Sequence, residues 1–85
     1  MKLTVVSVFD KAVSAYGRPA FVPAIGSAVR SFTDEVNRSD ANNPMFGHAS
    51  DFELCELGEF DDESGKFVNL DQPRLLVRGG DVKVK

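Results

Sequence analysis

The sequence contains few of the residues that usually carry catalytic chemistry or covalent stability. Its 85 residues include one cysteine, one histidine, one tyrosine and no tryptophan. The single cysteine, Cys55, excludes a disulfide within the chain, and Cys55 with His48 cannot supply the four ligands of a structural zinc site. No apolar run approaches the ~18 residues of a membrane-spanning helix, and no basic and then apolar signal segment opens the chain. These absences predict a chain that contacts no membrane and stays where it is made.

The composition predicts one small folded domain. Hydrophobic residues are 42% and charged residues 27%, which is ordinary for a soluble globular chain. We therefore expect a single domain over residues 1–85, in which Gly79–Gly80 releases a flexible tail at 79–85. Because neither a disulfide nor a metal supports so small a core, self-association is the remaining way to bury more surface. A homo-oligomer is the expected state.

The charges are segregated along the chain, although the net charge is only −3. Residues 39–72 carry nine acidic side chains and one basic one, whereas residues 73–85 carry four basic and one acidic. Strong non-specific DNA binding is not expected of an acidic protein, because such binding depends on neutralisation of phosphates by Lys and Arg. The segregation still permits a local basic face, and it suggests attraction between the acidic middle of one copy and the basic end of another.

Three apolar patterns predict the secondary structure. Residues 2–9 are rich in β-branched residues with both faces apolar, which is typical of an interior strand. Residues 10–23 contain a glycine and two prolines and are interpreted as a long surface loop. A helix is predicted over about residues 24–37, with Ser27 as its N-cap or Pro23 in its first turn. Its apolar stripe consists of Ile25, Val29, Phe32 and Val36.

The second half predicts a hairpin and a further short strand. Residues 51–60 and 66–70 pair across a turn at 61–65, Pro73 ends the second strand, and 75–77 forms the last. The fold class is therefore α+β: a mixed sheet of three to four strands with one helix on one face, in the order β-α-β-β(-β). A right-handed crossover would make the first two long strands parallel. The predicted core residues are Phe9, Ile25, Val29, Phe32, Leu54 and Leu57.

No group of residues predicts catalysis, a metal site or a cofactor site. Asp61, Asp62 and Glu63 lack the alternating ligands of a calcium loop and are typical of a tight turn. Cys55 lies mid-strand without a nucleophile signature, so we interpret it as a small buried residue. His48 is interpreted as capping or ordering the loop at 44–51.

A basic and aromatic set is the one candidate binding site. Single-strand binders combine cations that follow the backbone with aromatic rings on which bases stack. The alternative is that the rings attach their loop to the core while the arginines are solvated. The candidate residues for nucleic-acid binding are Tyr16, Arg18, Phe21, Arg30, Arg38, Arg74 and Arg78.

An ordered set of short motifs runs through nearly the whole chain. It comprises the opening at 1–23, Ala-Val-Arg-Ser-Phe-Thr-Asp-Glu-Val-Asn-Arg at 28–38, Asn-Asn-Pro at 42–44, Asp-Phe-Glu-Leu at 51–54, Leu-Gly-Glu-Phe-Asp-Asp-Glu at 57–63 and Pro-Arg-Leu-Leu-Val-Arg-Gly at 73–79. In this order and spacing the chain resembles the small non-structural protein of gokushovirus-type microviruses, which are tailless phages with a single-stranded DNA circle.

The resemblance implies a protein made during infection, located in the host bacterial cytoplasm and absent from the mature virion. It implies a role in the switch from duplex DNA replication to single-stranded DNA synthesis and packaging, and it brings no catalytic residues. The first hypothesis is a non-enzymatic adaptor that binds the phage replication initiator, host replication proteins or the capsid precursor. The second is a direct single-stranded DNA-binding protein. The third, a small nuclease, would depend on Asp61 and Asp62.

Overall fold

The first strand, β1 (Lys2–Asp10), lies inside a five-stranded sheet in the computed structural model, which describes residues 1–84. The other strands are β2 (Ala15–Tyr16), β3 (Ala20–Val22), β4 (Phe52–Asp61) and β5 (Lys66–Arg78). The helices are α1 (Ile25–Val36), α2 (Pro44–Gly47) and α3 (Gly79–Val82), with a 3₁₀ turn at Ala49–Asp51. The α+β class is confirmed, and so is the interior position of the first strand. Among residues 1–84 no helix has the length and apolarity to cross a membrane.

The sheet is antiparallel throughout, which corrects the prediction of a mixed sheet. β1 pairs with β2 and β3 on one side and with β4 on the other, and β5 pairs with β4. The parallel pairing of β1 and β4 is wrong because β3 already returns the chain to the start of β1, where Val22 lies opposite Thr4. The 12 residues of α1 then span roughly 18 Å. The helix carries the chain back along the sheet to the end of β1. β4 therefore begins with Phe52 opposite Asp10 and runs antiparallel to β1.

Residues 10–23 are paired to the sheet and are not the surface loop that their glycine and prolines predicted. β2 and β3 add two short strands beside β1. Between them the Gly17 N–H donates to the Val8 carbonyl (2.8 Å), and Ser7 Oγ donates to the Gly17 carbonyl (2.7 Å). These bonds satisfy the backbone at the turn, so the β-forming residues on either side of it can extend along β1.

The last strand is longer than predicted and forms the edge of the sheet. The predicted turn at 61–65 is confirmed, with Gly65 at φ +73° and its N–H donating to the Asp61 carbonyl (2.8 Å). Pro73, however, does not end the strand. The pairing passes from Gly58 opposite Asn69 to Glu56 opposite Arg74, so residues 70–73 form a bulge. A proline is tolerated there because an edge strand has no neighbour that needs its missing N–H.

The predicted helix is confirmed, and it packs on one face of the sheet. It follows Ala24 without a side-chain cap, so neither Ser27 nor Pro23 has its expected role. The buried cluster between helix and sheet contains Val6, Ala28, Phe32, Val36, Ala49, Phe52 and Leu54. Of the predicted core residues, Phe32 and Leu54 are buried, and Phe9, Ile25, Val29 and Leu57 are half-buried.

The predicted tail packs on the body of the protein as far as the structure describes it. α3 begins at Gly79, which is buried against the carbonyl oxygens of Ala49 and Phe52. The Asn37 side chain donates to the Val82 carbonyl (3.0 Å) and accepts from the Val84 N–H (2.7 Å). The glycine pair therefore allows close packing here rather than release of the chain. Lys85 lies outside the described residues.

Candidate interaction surface

Three phenylalanine rings form a compact cluster on the sheet face opposite α1. Successive residues of a strand point to opposite faces, and Val22 packs on the core beneath α1, so Phe21 points away from it. The ring centroids of Phe21 and Phe60 are 5.4 Å apart, those of Phe60 and Phe67 are 4.8 Å apart, and those of Phe21 and Phe67 are 6.0 Å apart, so the three rings form a triangle. Phe21 is 45% exposed and Phe67 is 56% exposed. Phe60 and Phe67 lie directly opposite each other across the β4–β5 pair.

A second pair of rings extends this face along β1. Phe9 lies opposite Tyr16 in the β1–β2 register, with ring centroids 4.7 Å apart. Phe9 is four residues from Val5, the residue opposite Phe21, so the period of two places both ring groups on the same side of the sheet. Tyr16 is 45% exposed. We call the five residues Phe9, Tyr16, Phe21, Phe60 and Phe67 the aromatic face.

The floor of the aromatic face is formed by small buried side chains. Val5, Ser7 and Cys55 are each less than a tenth exposed, and Ser7 lies opposite Cys55. Burial raises the pKa of the Cys55 thiol, and the negative charge of Glu53 adds to the effect. Since the thiolate is the reactive form of cysteine, this environment is that of an inert structural thiol. The prediction that Cys55 is a buried strand residue is confirmed.

Two of the candidate arginines are paired with carboxylates across the β4–β5 ladder. Arg74 lies opposite Glu56 and bonds it, and Arg78 lies opposite Glu53, with Nε 3.5 Å from Oε2. The Glu56 and Glu53 side chains are only 12% and 18% exposed, while both arginines are more than half exposed. Cross-strand pairing therefore compensates two partly buried negative charges. These arginines are bound to carboxylates of their own sheet, so a phosphate would have to compete with Glu56 and Glu53 for them.

Arg38 is engaged in the same way at the end of α1. It bonds Glu35, and its Nη1 lies 3.0 Å from Asp40 Oδ2. The hydrogen bond from Arg38 is the main cause of the lowered pKa of Glu35. The pKa of Asp40 is also lowered, chiefly by the Asn42 backbone N–H and then by Arg38.

The expected cluster of Tyr16, Arg18 and Phe21 is divided between the two faces of the sheet. Arg18 lines a cavity of about 290 Å³ between α1 and the sheet, which Phe32 also lines, whereas both rings lie on the aromatic face. Arg30 is exposed on α1. Within residues 1–84 neither Arg18 nor Arg30 makes a salt bridge. The aromatic half and the unpaired cationic half of the predicted site therefore do not meet.

Three residues of the aromatic face were not predicted as site residues: Phe9, Phe60 and Phe67. Phe60 and Phe67 flank the acidic turn, and their spacing of seven is what a hairpin with this turn needs to place them opposite each other. That signal was present in the sequence. Their meeting with Phe21 depends on the pairing of β3 with β1, which no local pattern indicates.

The acidic turn is used for structure. Asp61 Oδ1 accepts from the Glu63 backbone N–H (2.9 Å), and this bond is the main cause of the lowered pKa of Asp61. The side chains of Asp62 and Glu63 accept from the N-terminal ammonium group. Among residues 1–84, no three or more His, Cys, Asp or Glu side chains are grouped so that they could hold a metal ion. The interpretation of residues 61–63 as a turn is confirmed.

Together these features define a small α+β protein with a two-layer core and an uncovered aromatic sheet face. Residues 3–82 match the Phage ORF5 protein family, so the chain belongs to this family. It is 33% identical over 67 residues to Protein ORF5 of Chlamydia phage 1, a gokushovirus, with 76% of this chain and 70% of the relative aligned. The resemblance to gokushovirus-type microviruses is thus confirmed. No solved structure matches the chain.

Proposed function

We propose that this phage protein is a non-enzymatic adaptor that binds other proteins through the aromatic face. Phe21 and Phe67 are about half exposed on the sheet face opposite α1. Monomeric proteins rarely expose contiguous apolar patches of this kind unless they bind something, and aromatic residues are enriched in the centres of protein interfaces. The exposed cluster of rings is the observation that carries the proposal.

The proposed partners are the phage replication initiator, host replication proteins or the capsid precursor. Binding one of them in the host cytoplasm would divert the phage from duplex replication to single-stranded DNA synthesis and packaging, without entry of the adaptor into the virion. The charges favour a protein partner, because Arg38, Arg74 and Arg78 are held by carboxylates of the same chain. Loss of the duplex-to-single-strand switch in infected cells is the biological result expected when the surface is disabled.

Capture from infected cells tests the adaptor role. We expect a tagged wild-type chain, cross-linked during infection, to retain a phage replication or capsid protein. Phe21→Ser should reduce this capture about tenfold, as truncation of a central interface residue does. Val13→Ser is the matched control, because Val13 is an exposed apolar residue outside the aromatic face. Equal capture by the Phe21 variant and the wild type would contradict the proposal, provided that both variants give wild-type circular dichroism spectra.

Single-stranded DNA binding is the second candidate, and one observation favours it. Three exposed rings, Tyr16, Phe21 and Phe67, share one sheet face, and stacking of a base on such a ring contributes ~1–3 kcal/mol without sequence preference. The neighbouring cations are mostly paired, which opposes tight binding. A salt titration with single-stranded and duplex DNA separates the two functions, because an adaptor needs no affinity for either.

A further inference from the structure

The free edge of β5 carries an apolar segment that is exposed on both faces of the sheet. β5 pairs only with β4 in the described part of the chain, so its outer backbone groups have no strand partner. Within Lys66–Leu70, Phe67 is 56%, Val68 67% and Leu70 39% exposed. Apolar side chains on both faces are typical of an interior strand, whereas an open apolar edge invites pairing with another chain.

The open segment is short and sharply bounded. On one side it begins after the turn at 61–65. On the other side lies the bulge at 70–73 with Pro73, and bulges and prolines are devices that prevent strand addition. Between these limits Lys66–Leu70 contains no proline, and the bulge begins only at its last residue, Leu70. A strand added there would extend the surface formed by the phenylalanine cluster, because Phe67 lies on the edge strand.

We infer that Lys66–Leu70 pairs antiparallel with the same segment of a second copy, about a two-fold axis at Val68. Full overlap of this five-residue segment places Val68 opposite Val68 and Phe67 opposite Asn69. Phe67 then lies diagonal to Phe67 of the second copy, within reach of an aromatic side chain. The two clusters of three rings then adjoin across the dimer axis, so six rings share one face of the joined sheet.

The charges fit a second copy better than an unrelated strand. The same register ends each paired segment at the turn of one copy and the bulge of the other, so Lys66 of each copy lies opposite Leu70 of the second copy. Lys66 is the one charged residue of the paired segment, and Asp71 of the second copy, which follows Leu70, has the opposite charge, so the two-fold axis forms this attractive pair twice. This geometry is self-complementary, as a two-fold interface requires.

Opposite charges at Val68 test the two-fold geometry. We expect the wild-type chain to sediment as a dimer at tens of micromolar, and Val68→Glu and Val68→Lys to sediment as monomers, because each places like charges directly opposite one another. An equimolar mixture of the two variants should recover the dimer mass. Val13→Glu is the control, since Val13 and Val68 are equally exposed at 67%. It should remain dimeric.

A crosslink provides a second readout. We expect Val68→Cys to form a disulfide-linked dimer on mild oxidation, because the Cβ atoms of residue 68 in the two copies lie opposite each other. Val13→Cys should form no such dimer. A wild-type chain that stays monomeric would overturn the inference and leave the edge to an extended segment of another protein. Dimers that persist in both charge variants, or a mixture of folded variants that stays monomeric, would overturn it equally. These experiments do not depend on the adaptor proposal, because that proposal is tested by capture with the Phe21→Ser variant.

Discussion

At the residue scale, two glycines determine how closely the backbone segments approach. A Cβ built on Gly58 collides with the carbonyl oxygen of Val68 and lies 3.0 Å from the Asn69 Cα. A Cβ on Gly79 collides with the carbonyl oxygen of Ala49. In both cases the obstacle is backbone, which cannot rotate away as a side chain can. These positions require glycine for space, and neither has a positive φ.

We therefore expect Gly58→Ala to lower the free energy of unfolding by about 1–3 kcal/mol, as overpacking does. Gly26→Ala is the control. Gly26 is in α1 with nothing within 4 Å of an added Cβ, so alanine there should raise the free energy of unfolding by about 0.5–1 kcal/mol. Urea denaturation measures both. A Gly58 variant as stable as the wild type would contradict the close approach of β4 and β5.

The carboxylates give a pH dependence whose sign follows from their lowered pKa values. Glu35, Asp40 and Asp61 all have a pKa below the ordinary value in the folded chain. The stability that they contribute is fully present above the unfolded pKa, at about pH 4, and is lost as the pH falls through the lowered values. We expect the urea concentration at the midpoint of unfolding to decrease when the pH is lowered from 6 to 3.

The double variant Glu35→Gln and Asp61→Asn removes two of these titrating groups. Its urea midpoint should fall less over the same pH interval than that of the wild type. If the two proteins lose stability in parallel on acidification, these carboxylates are not the source of the pH dependence.

At the element scale, the fold depends on the contact between α1 and the sheet. Phe32 is 3% exposed at the centre of this contact, among Val6, Val36 and Leu54. Phe32→Ala should cost ~3–5 kcal/mol, because it removes a buried ring and leaves a cavity. Since one kcal/mol corresponds to about 4–8 °C in a domain of this size, the melting temperature should fall by more than about 10 °C.

Ser31→Ala is the appropriate comparison, because Ser31 is the exposed helical neighbour of Phe32. It should melt close to the wild type. A Phe32→Ala chain that melts within a degree or two of the wild type would exclude the helix-on-sheet packing. Scanning calorimetry or circular dichroism at a fixed protein concentration is sufficient, and the concentration matters because self-association would raise the melting temperature.

At the scale of the whole molecule, the pairing of charges sets the DNA affinity that this protein can reach. Each phosphate neutralised on a single strand adds about −0.7 to the slope of log affinity against log salt. Of the candidate arginines, Arg18 and Arg30 make no salt bridge within the described residues. Direct binding of single-stranded DNA through the candidate arginines should therefore be weak, with a slope of about −1.4.

Arg18→Ala should make this slope shallower, whereas Arg74→Ala should leave it unchanged because Arg74 is engaged with Glu56. Fluorescence anisotropy over a range of salt concentrations measures both. A slope of about −3 or steeper would mean that the paired arginines leave their carboxylates to bind DNA, and it would favour the second candidate function over the adaptor.

Much of the local structure could be predicted because its causes lie close together in the chain. The apolar stripe indicated α1 within a residue of its bounds, and Gly65 marked the turn between β4 and β5. Continuous apolar character placed β1 inside the sheet. The burial of Cys55 followed from its position in a strand. Helix period, turn chemistry and strand composition act over a few residues, so the sequence by itself determined these features and the family to which the chain belongs.

The tertiary structure alone decided what depends on residues far apart in the chain. The antiparallel direction of β4 follows from the pairing of β3 with β1, and the aromatic face forms only when Phe21 meets Phe60 in that register. Likewise Arg74 and Arg78 resemble free basic residues until β5 lies beside β4 and places each opposite a glutamate. Strand register is a long-range property, because a shift by one residue exchanges the two faces of the sheet. No local pattern can therefore specify which rings are exposed together or which charges are free.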